Sequence, residues 1–459
     1  MDTVEHSLKD QKQKNNKTKN TKKYLQTLKK YECPDTTYVA SDFPIVMKKS
    51  KGVTITDVDN KKYFDFTACF GVLALGHQSP TVVHAVRKQL PKLIHGMGDV
   101  HPSVEKIKLI ETLAGLLPYK NPKIHLSLSG GDAVETAIKT AMLATGKSEF
   151  LVFDGSYHGL QFGPLSLNHR AEFTKDFSSW TEGKSTSIPF PLFPEILTFG
   201  NFETEKEYLK KKYGFADPAV TLEMIENHLK TNRFAGFFVE PVQGRGGKRS
   251  FTKEYIQELH LLCQKYKTLL IFDEIYTGFG RTGNLFGFEM YDIIPDIICL
   301  GKALGGGFPL SACCGDVLNV WKESKGEAMH TQTFLGHPLF CSVARKTILE
   351  IQKKLQEFQK ELIQIDKVTC CFIEKYKKLN LDKKFPFHLR GHGFMKGLWF
   401  YKETEGFCVG LMEKLLEKGF IVLPEGAQAD VLSLTPPLIM TAKEFQKIYG
   451  AVVEILLKY

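Results

Sequence analysis

Short apolar runs recur between about residues 100 and 310, each bounded by polar or glycine-containing stretches. They are Ile124-His125-Leu126-Ser127-Leu128, Phe150-Leu151-Val152-Phe153, Gly236-Phe237-Phe238-Val239, Leu269-Leu270-Ile271-Phe272 and Ile297-Ile298-Cys299-Leu300. Runs this short between turn signals predict buried strands. The intervening segments are helical in period: from Ala133 to Leu143, the residues Val134, Ala137, Ile138, Ala141 and Met142 fall on one stripe. Apolar strands separated by amphipathic helices predict an α/β core, a mostly parallel sheet covered on both faces.

The pattern changes at both ends. Asp57 to Phe66 reads as a hairpin with a polar turn. Beyond residue 340 the chain becomes helix-rich and charged, then returns to strand-like runs near Leu398-Trp399-Phe400 and Val431-Leu432-Ser433-Leu434. The expected organisation is a large α/β domain over 76–339 and a smaller α+β domain assembled from 31–75 and 340–459. No internal repeat is visible. A chain of 459 residues with 43% hydrophobic residues can support such cores without disulfide staples.

The formal charge of +10 is unevenly spread: residues 1–30 carry nine Lys against Asp2, Glu5 and Asp10, so +6 lies there and +4 in the remaining chain. A basic tail without a basic folded face argues against nucleic-acid binding. The tail is polar and low in complexity, and is expected to be a disordered arm. It lacks the apolar core of a signal peptide and the Arg content of a transit peptide. No uninterrupted apolar stretch of roughly 18 residues is present, so no membrane span is expected. The ten cysteines have no CxxC spacing, and several sit inside apolar runs, which fits a reducing, cytoplasmic setting. The fourteen His form no HExxH or comparable set, so no protein-held metal is expected.

Four islands at strand ends combine the residue types of a reactive site, where open α/β sheets place their ligands. Ser129-Gly130-Gly131-Asp132 is a glycine turn opening a helix, which suits an anion such as phosphate. Tyr157-His158-Gly159 offers an aromatic ring that can stack on a planar group. Asp273 ends an apolar strand, where an acid needs a cationic partner. Lys302 follows the strand at 297–300 and leads into Gly305-Gly306-Gly307; desolvation there depresses an amine's pKa and makes it nucleophilic. Gly278-Phe279-Gly280-Arg281-Thr282-Gly283 matches GxGxxG, but no helix opens after it, which argues against a nicotinamide or flavin site. Phosphate cradle, stacking ring, buried acid and desolvated lysine together describe a site for pyridoxal 5'-phosphate.

In these residues the chain resembles the class III pyridoxal-phosphate-dependent aminotransferases of fold type I, the group of ornithine, acetylornithine, 4-aminobutyrate and ω-amino-acid aminotransferases. The resemblance runs from about Phe43 to Leu438. It rests on 129–137, 157–159, Val239-Glu240-Pro241-Val242-Gln243-Gly244, Asp273 through Gly283, Gly301 through Gly307, Thr333 through Leu339 and Thr435-Pro436-Pro437-Leu438. It implies Lys302 as the Schiff-base lysine and general acid/base, Asp273 as the partner of the ring nitrogen, and Tyr157 as the stacking ring. Gly130, Gly131, His158, Glu240 and Tyr276 complete the implied cofactor contacts. Thr333 would reach the phosphate bound to a neighbouring subunit, which implies a homodimer with shared sites.

Departures from the pattern bear on substrate. Where many members carry an Arg for the substrate carboxylate, this chain has Ser433, and where they carry its gating Glu it has Arg245. Either Arg245 supplies a relocated carboxylate contact or it faces solvent. Tyr276 stands where Gln is common, Gly131 where a hydroxyl residue is common, and His337 in place of Asn. Phe70 either narrows the pocket or belongs to the core. The reading is a transaminase moving an amino group from an amino-acid or ω-amine donor to a 2-oxo acid or aldehyde acceptor. The alternative is an amino-acid racemase or epimerase on the same scaffold.

Overall fold

The computed structural model describes residues 20–38, 43–194, 202–323 and 326–459. At its centre is a seven-stranded sheet in the order Lys123–Ser127, Ser311–Gly315, Ile297–Leu300, Leu269–Asp273, Phe234–Val239, Glu149–Phe153 and Ser185–Ile188. Only Ser311–Gly315 runs antiparallel to its neighbours; the other six strands share one direction. All five apolar runs become strands of this sheet, because a strand buried on both faces has no polar alternation to keep.

The helix Gly130–Thr145 begins where the side chain of Ser129 accepts from the Asp132 amide, and it ends at Gly146 with φ of 70°. Ala133, Val134, Ala137, Ile138 and Ala141 pack there against Phe150, Phe238, Ile271, Ile297 and Cys299. The small residues of that stripe bring the helix close to the sheet, so its first turn lies above the strand ends.

Segments from the two ends of the chain pair with each other. Thr54–Asp57 and Lys62–Asp65 form the hairpin, and the second strand pairs in parallel with Phe420–Ile421, Phe64 lying opposite Phe420. The Asp57 carboxylate ties the turn by accepting from the amides of Asp59 and Lys61. A second four-stranded sheet comprises His388–Arg390, Lys396–Trp399, Val431–Leu434 and Leu423–Glu425. The 41-residue helix Pro338–Lys378, about 60 Å long, precedes this C-terminal part.

The basic tail divides. Residues 1–19 lie outside the described residues, whereas 20–31 form a helix rather than the expected disordered arm. Thr21, Leu25 and Leu28, spaced by four and three, are its half-buried positions, and the Thr21 hydroxyl donates to Asp59 of the hairpin turn. A short apolar stripe within a Lys-rich segment is enough to dock a helix that composition alone marks as solvated.

Ile271 is fully buried on the central strand. Ile271→Ala is expected to cost about 2–5 kcal/mol, measured as a lowered thermal midpoint by circular dichroism. An unchanged midpoint would contradict the packing described.

Candidate active site

The carboxyl ends of the parallel strands supply the site. Gly130 follows the first strand, Tyr157 and His158 the strand Glu149–Phe153, and Glu240 the strand Phe234–Val239; Asp273 ends its strand and Lys302 follows Ile297–Leu300. These residues border a cavity of ≈ 890 Å³ together with Gly131, Tyr276, Arg245 and Phe70.

Asp273 is buried, with 4% of its surface exposed. One carboxylate oxygen lies 2.8 Å from His158 Nδ1, and the other accepts from the Ile275 amide at 3.1 Å. His158 is anchored in turn, its amide donating to Asn168 at 2.8 Å, while its Nε2 is buried without a partner among the described residues. Glu240 accepts from the amides of Tyr157 and Gly244, each at 3.0 Å. Burial raises its carboxyl to about 6. That carboxylate therefore ties the aromatic loop to the hairpin carrying Arg245.

At the glycine turn the first amides of the helix Gly130–Thr145 have no acceptor within the helix. A Cβ on Gly131 would come 1.7 Å from Gln161 Oε1. Gln161, which sequence reasoning missed, fills the space that a larger residue at 131 would take, and its amide donates to Ser129 Oγ at 3.1 Å.

Lys302 has φ of 42°, a left-handed conformation that costs a lysine energy. Burial lowers its pKa, and Lys248 adds to the fall against the opposing pull of Asp273 and Glu240. Its Nζ lies 4.5 Å from the centre of the Tyr276 ring. That ring is wedged between two glycines: a Cβ on Gly71 would come 2.4 Å from one edge and a Cβ on Gly244 2.2 Å from the other. Tyr276 thus occupies volume that the backbone has ceded on both sides.

A second buried amine borders the same ring. Lys248 Nζ is 4.7 Å from the Tyr276 centre and 2.6 Å from Glu425 Oε2, and Lys248 is wholly excluded from solvent. Glu425 borders the cavity. Neither residue lies in a motif, and their sequence separation of 177 residues leaves no pattern to read.

Arg245 projects to the cavity beside two rings, its guanidinium carbon 5.6 Å from the centre of Tyr157 and 5.8 Å from that of Phe173. It has no ion pair among the described residues. Phe70 is 55% exposed and sits in a run of left-handed residues, Ala68, Cys69, Phe70 and Gly71. That run is secured by Asp65, whose Oδ1 accepts from the Thr67 amide and hydroxyl; the Thr67 hydroxyl then accepts from the Cys69 amide. Asp65, Cys69 and His77 bring possible metal ligands within 4.8 Å of one another. Asp65 Oδ2 is already shared between His77 at 2.8 Å and Cys69 at 3.8 Å, which makes the cluster a hydrogen-bonded support for the turn. Ser433 is buried on the strand Val431–Leu434 near Thr435 and does not line the cavity. Thr333 is exposed and also stands outside it.

The donor set fits pyridoxal phosphate. A buried carboxylate able to counter the charge of a ring nitrogen, a helix N-terminus able to offer amides to a phosphate, and a desolvated amine border the same cavity.

The family model for Aminotransferase class-III matches residues 37–456. The acetylornithine aminotransferase of Methanosarcina mazei is 32% identical over 418 residues, covering 90% of this chain and 93% of that protein. The 2-aminoadipate transaminase of Pseudomonas putida is 28% identical over 428 residues, covering 89% and 95%. Among solved structures, the ornithine aminotransferase of Toxoplasma gondii, with PLP at partial occupancy in its active site, is similar with a TM-score of 0.77 and 25% identity, covering 95% of this chain and 94% of that one.

The Lys248–Glu425 pair yields a stability test. Glu425→Gln leaves a buried ammonium without its counter-charge, and a loss of about 3–5 kcal/mol is expected. Lys248→Met combined with Glu425→Leu is expected to recover most of it, as read from thermal midpoints. A single variant as stable as the parent would contradict the pairing.

Proposed function

The chain belongs to the class-III aminotransferases, and from that premise we propose that it transfers an amino group between an amino-acid or ω-amine donor and a 2-oxo acid or aldehyde acceptor, with Lys302 as the covalent anchor of pyridoxal phosphate. It is an enzyme of the transaminase type, and nothing in its relatives or its geometry favours a racemase. The observation that carries the residue assignment is the meeting of the desolvated Lys302 amine with the His158-supported Asp273 carboxylate in one cavity.

When bound, the cofactor supplies an aldehyde that captures amines and a ring that draws electrons from the substrate carbon. Asp273 supplies negative charge to the ring nitrogen, and His158 keeps its carboxylate oriented. Tyr157 would stack on the cofactor ring, and the amides of Gly130 and Gly131 with the side chain of Gln161 would hold the phosphate. Tyr276 would wall the cavity beside the Lys302 amine. The Lys302 amine, neutral at lower pH than an ordinary lysine, accepts the proton from the substrate carbon and delivers it back to the adjoining position. Arg245 binds the substrate carboxylate through its guanidinium. Phe70 narrows the mouth.

The proposal extends to a homodimer in which Thr333 completes the neighbouring phosphate site. An exposed apolar surface supports this: Leu93, Ile94, Met97, Val100, Val104 and Ile107 are all open to solvent, as is Phe334 beside Thr333. Thr331 joins the two segments by donating to Asp99 at 2.8 Å. Patches of this kind mark contact surfaces. A reducing, cytoplasmic setting is part of the same reading and is supported by ten unpaired cysteines. No helix among the described residues is long and apolar enough to cross a membrane.

Borohydride reduction of the cofactor-saturated enzyme is expected to fix the label on Lys302, seen by peptide mass spectrometry, and Lys302→Ala is expected to abolish transfer. A label on another lysine would overturn the assignment. Arg245→Ala is expected to raise the KM for carboxylate acceptors by tenfold or more, about the worth of one charge-assisted contact, with a smaller change in kcat. Equal KM values for every carboxylate acceptor would remove Arg245 from this role.

A further inference from the structure

Behind the hairpin that carries Arg245 lies a smaller cavity of ≈ 140 Å³, between the carboxyl edge of the seven-stranded sheet and the C-terminal four-stranded sheet. It holds far more than the ~15 Å³ that one water requires. Three guanidinium groups border it, those of Arg170, Arg249 and Arg390.

Two of them, Arg390 and Arg170, keep buried N–H groups unanswered among the described residues, and Arg170 alone has a carboxylate partner, Glu172, 3.2 Å from its Nη2. Arg390 is 7% exposed, and the one hydrogen bond of its side chain among the described residues is long, Nη1 to the Gly247 carbonyl at 3.5 Å. Its Nε and Nη2 are buried and have no partner among the described residues. Arg170 Nε is likewise buried and unpartnered. Arg249 gives Nε to the Gln243 side-chain oxygen at 2.8 Å and Nη2 to the Asp154 carbonyl. None of these partners of Arg249 and Arg390 is a carboxylate.

Aromatic faces hold the cations instead. The Arg390 guanidinium carbon lies 3.3 Å from the Trp399 ring centre, and Arg249 lies 4.6 Å from that of Phe190. Both guanidiniums approach Phe215 at 5.7 Å. Such stacking offers less than a counter-ion would to groups so deeply buried. The one acid at the wall, Asp430, is engaged by the Tyr213 hydroxyl at 2.6 Å and the Trp399 indole at 2.9 Å. Lys212 is spent on the carbonyls of Tyr401 and Glu403. Burial presses the Arg390 pKa down to about 9, Arg249 adding to it, and burial lowers Arg249 to about 10; both remain charged at neutral pH.

We propose that this cavity is a binding site for a small oxyanion of the phosphate class, held by the free N–H groups of Arg390 and Arg170 with Arg249 as the third cation. A tetrahedral oxyanion supplies several acceptors at once and matches the planar guanidinium fork. Entry is open at the rim, where Ala427 is exposed. The site abuts the active site through shared backbone: the Arg245 carbonyl accepts from Arg170 Nη1 at 3.3 Å and from the Gly426 amide at 3.1 Å. Free phosphate and a phosphomonoester group on an amine substrate share this chemistry.

The test is calorimetric titration of the cofactor-saturated enzyme, whose own phosphate site is filled, with sodium phosphate at low ionic strength. Saturable binding is expected, weakened by about tenfold or more in Arg390→Gln, the loss of a charge-assisted contact. Ala427→Asp places a carboxylate at the exposed rim, where folding is not at stake. It is expected to abolish both phosphate binding and the rise in thermal midpoint that phosphate gives the parent enzyme. No saturable binding to the parent, or binding of parental strength in either variant, would overturn the proposal. Phosphate that competes with a phosphomonoester amine donor assigns the site to a substrate group; phosphate that binds without competing assigns it to the free ion.

Discussion

The contact between Asp273 and His158, 2.8 Å long and sealed from water, fixes the rest of the cavity. A carboxylate at the end of an apolar central strand carries a desolvation cost that neighbouring groups must offset. The His158 ring, the Ile275 amide and the nearby Lys302 amine are those groups; the amide is local to the strand of Asp273, whereas His158 and Lys302 come from the ends of other strands. Those two can be present only if the parallel sheet is in register. The buried acid therefore also reports that the sheet has assembled, and Glu240 extends the constraint to the Tyr157 loop and the Arg245 hairpin through its two amide contacts.

Buried cations are managed in three different ways within a short distance. Lys248 has a full counter-charge in Glu425. Lys302 has acids nearby without a direct ion pair and lies beside the Tyr276 ring, and burial lowers its pKa against the pull of those acids, as a base requires. Arg249 and Arg390 have rings and carbonyl oxygens but no acid in direct contact, and two N–H groups of Arg390 remain unanswered among the described residues. The first arrangement is structural, the second suits proton transfer, and the third suits a ligand. The difference lies in what the surroundings leave unsatisfied rather than in the residue type.

Strain gathers at the same place. The left-handed run from Ala68 to Gly71 and the left-handed Lys302 both approach Tyr276, which fits only because Gly71 and Gly244 have no side chain. The buried Asp65, three residues before the start of the run, holds it in that conformation through Thr67 and so presents Phe70 to the cavity. The packed sheet and the hydrogen-bonded hub over-determine these residues, which is the condition under which strained backbone persists.

Local pattern was enough for much of this. The five apolar runs, the helix at 133–143 and the hairpin at 57–66 were legible because burial on both faces, helical period and a polar turn leave marks within a few residues. The strand-end positions of Lys302, Asp273, Tyr157 and the glycine turn were legible for the same reason, and the fold brings these residues to one cavity. The docking of residues 20–31 was not, because a single apolar stripe is invisible beneath a Lys-rich composition. Lys248 with Glu425, Gln161 beneath Gly131 and the three-arginine cavity were not legible either, because each is a relation between side chains far apart in the chain. The sequence by itself thus determined which short segments would be buried strands and which residue types stood at their ends. Only the tertiary structure decided which charges found partners, because pairing depends on distances that folding creates between segments with no pattern in common.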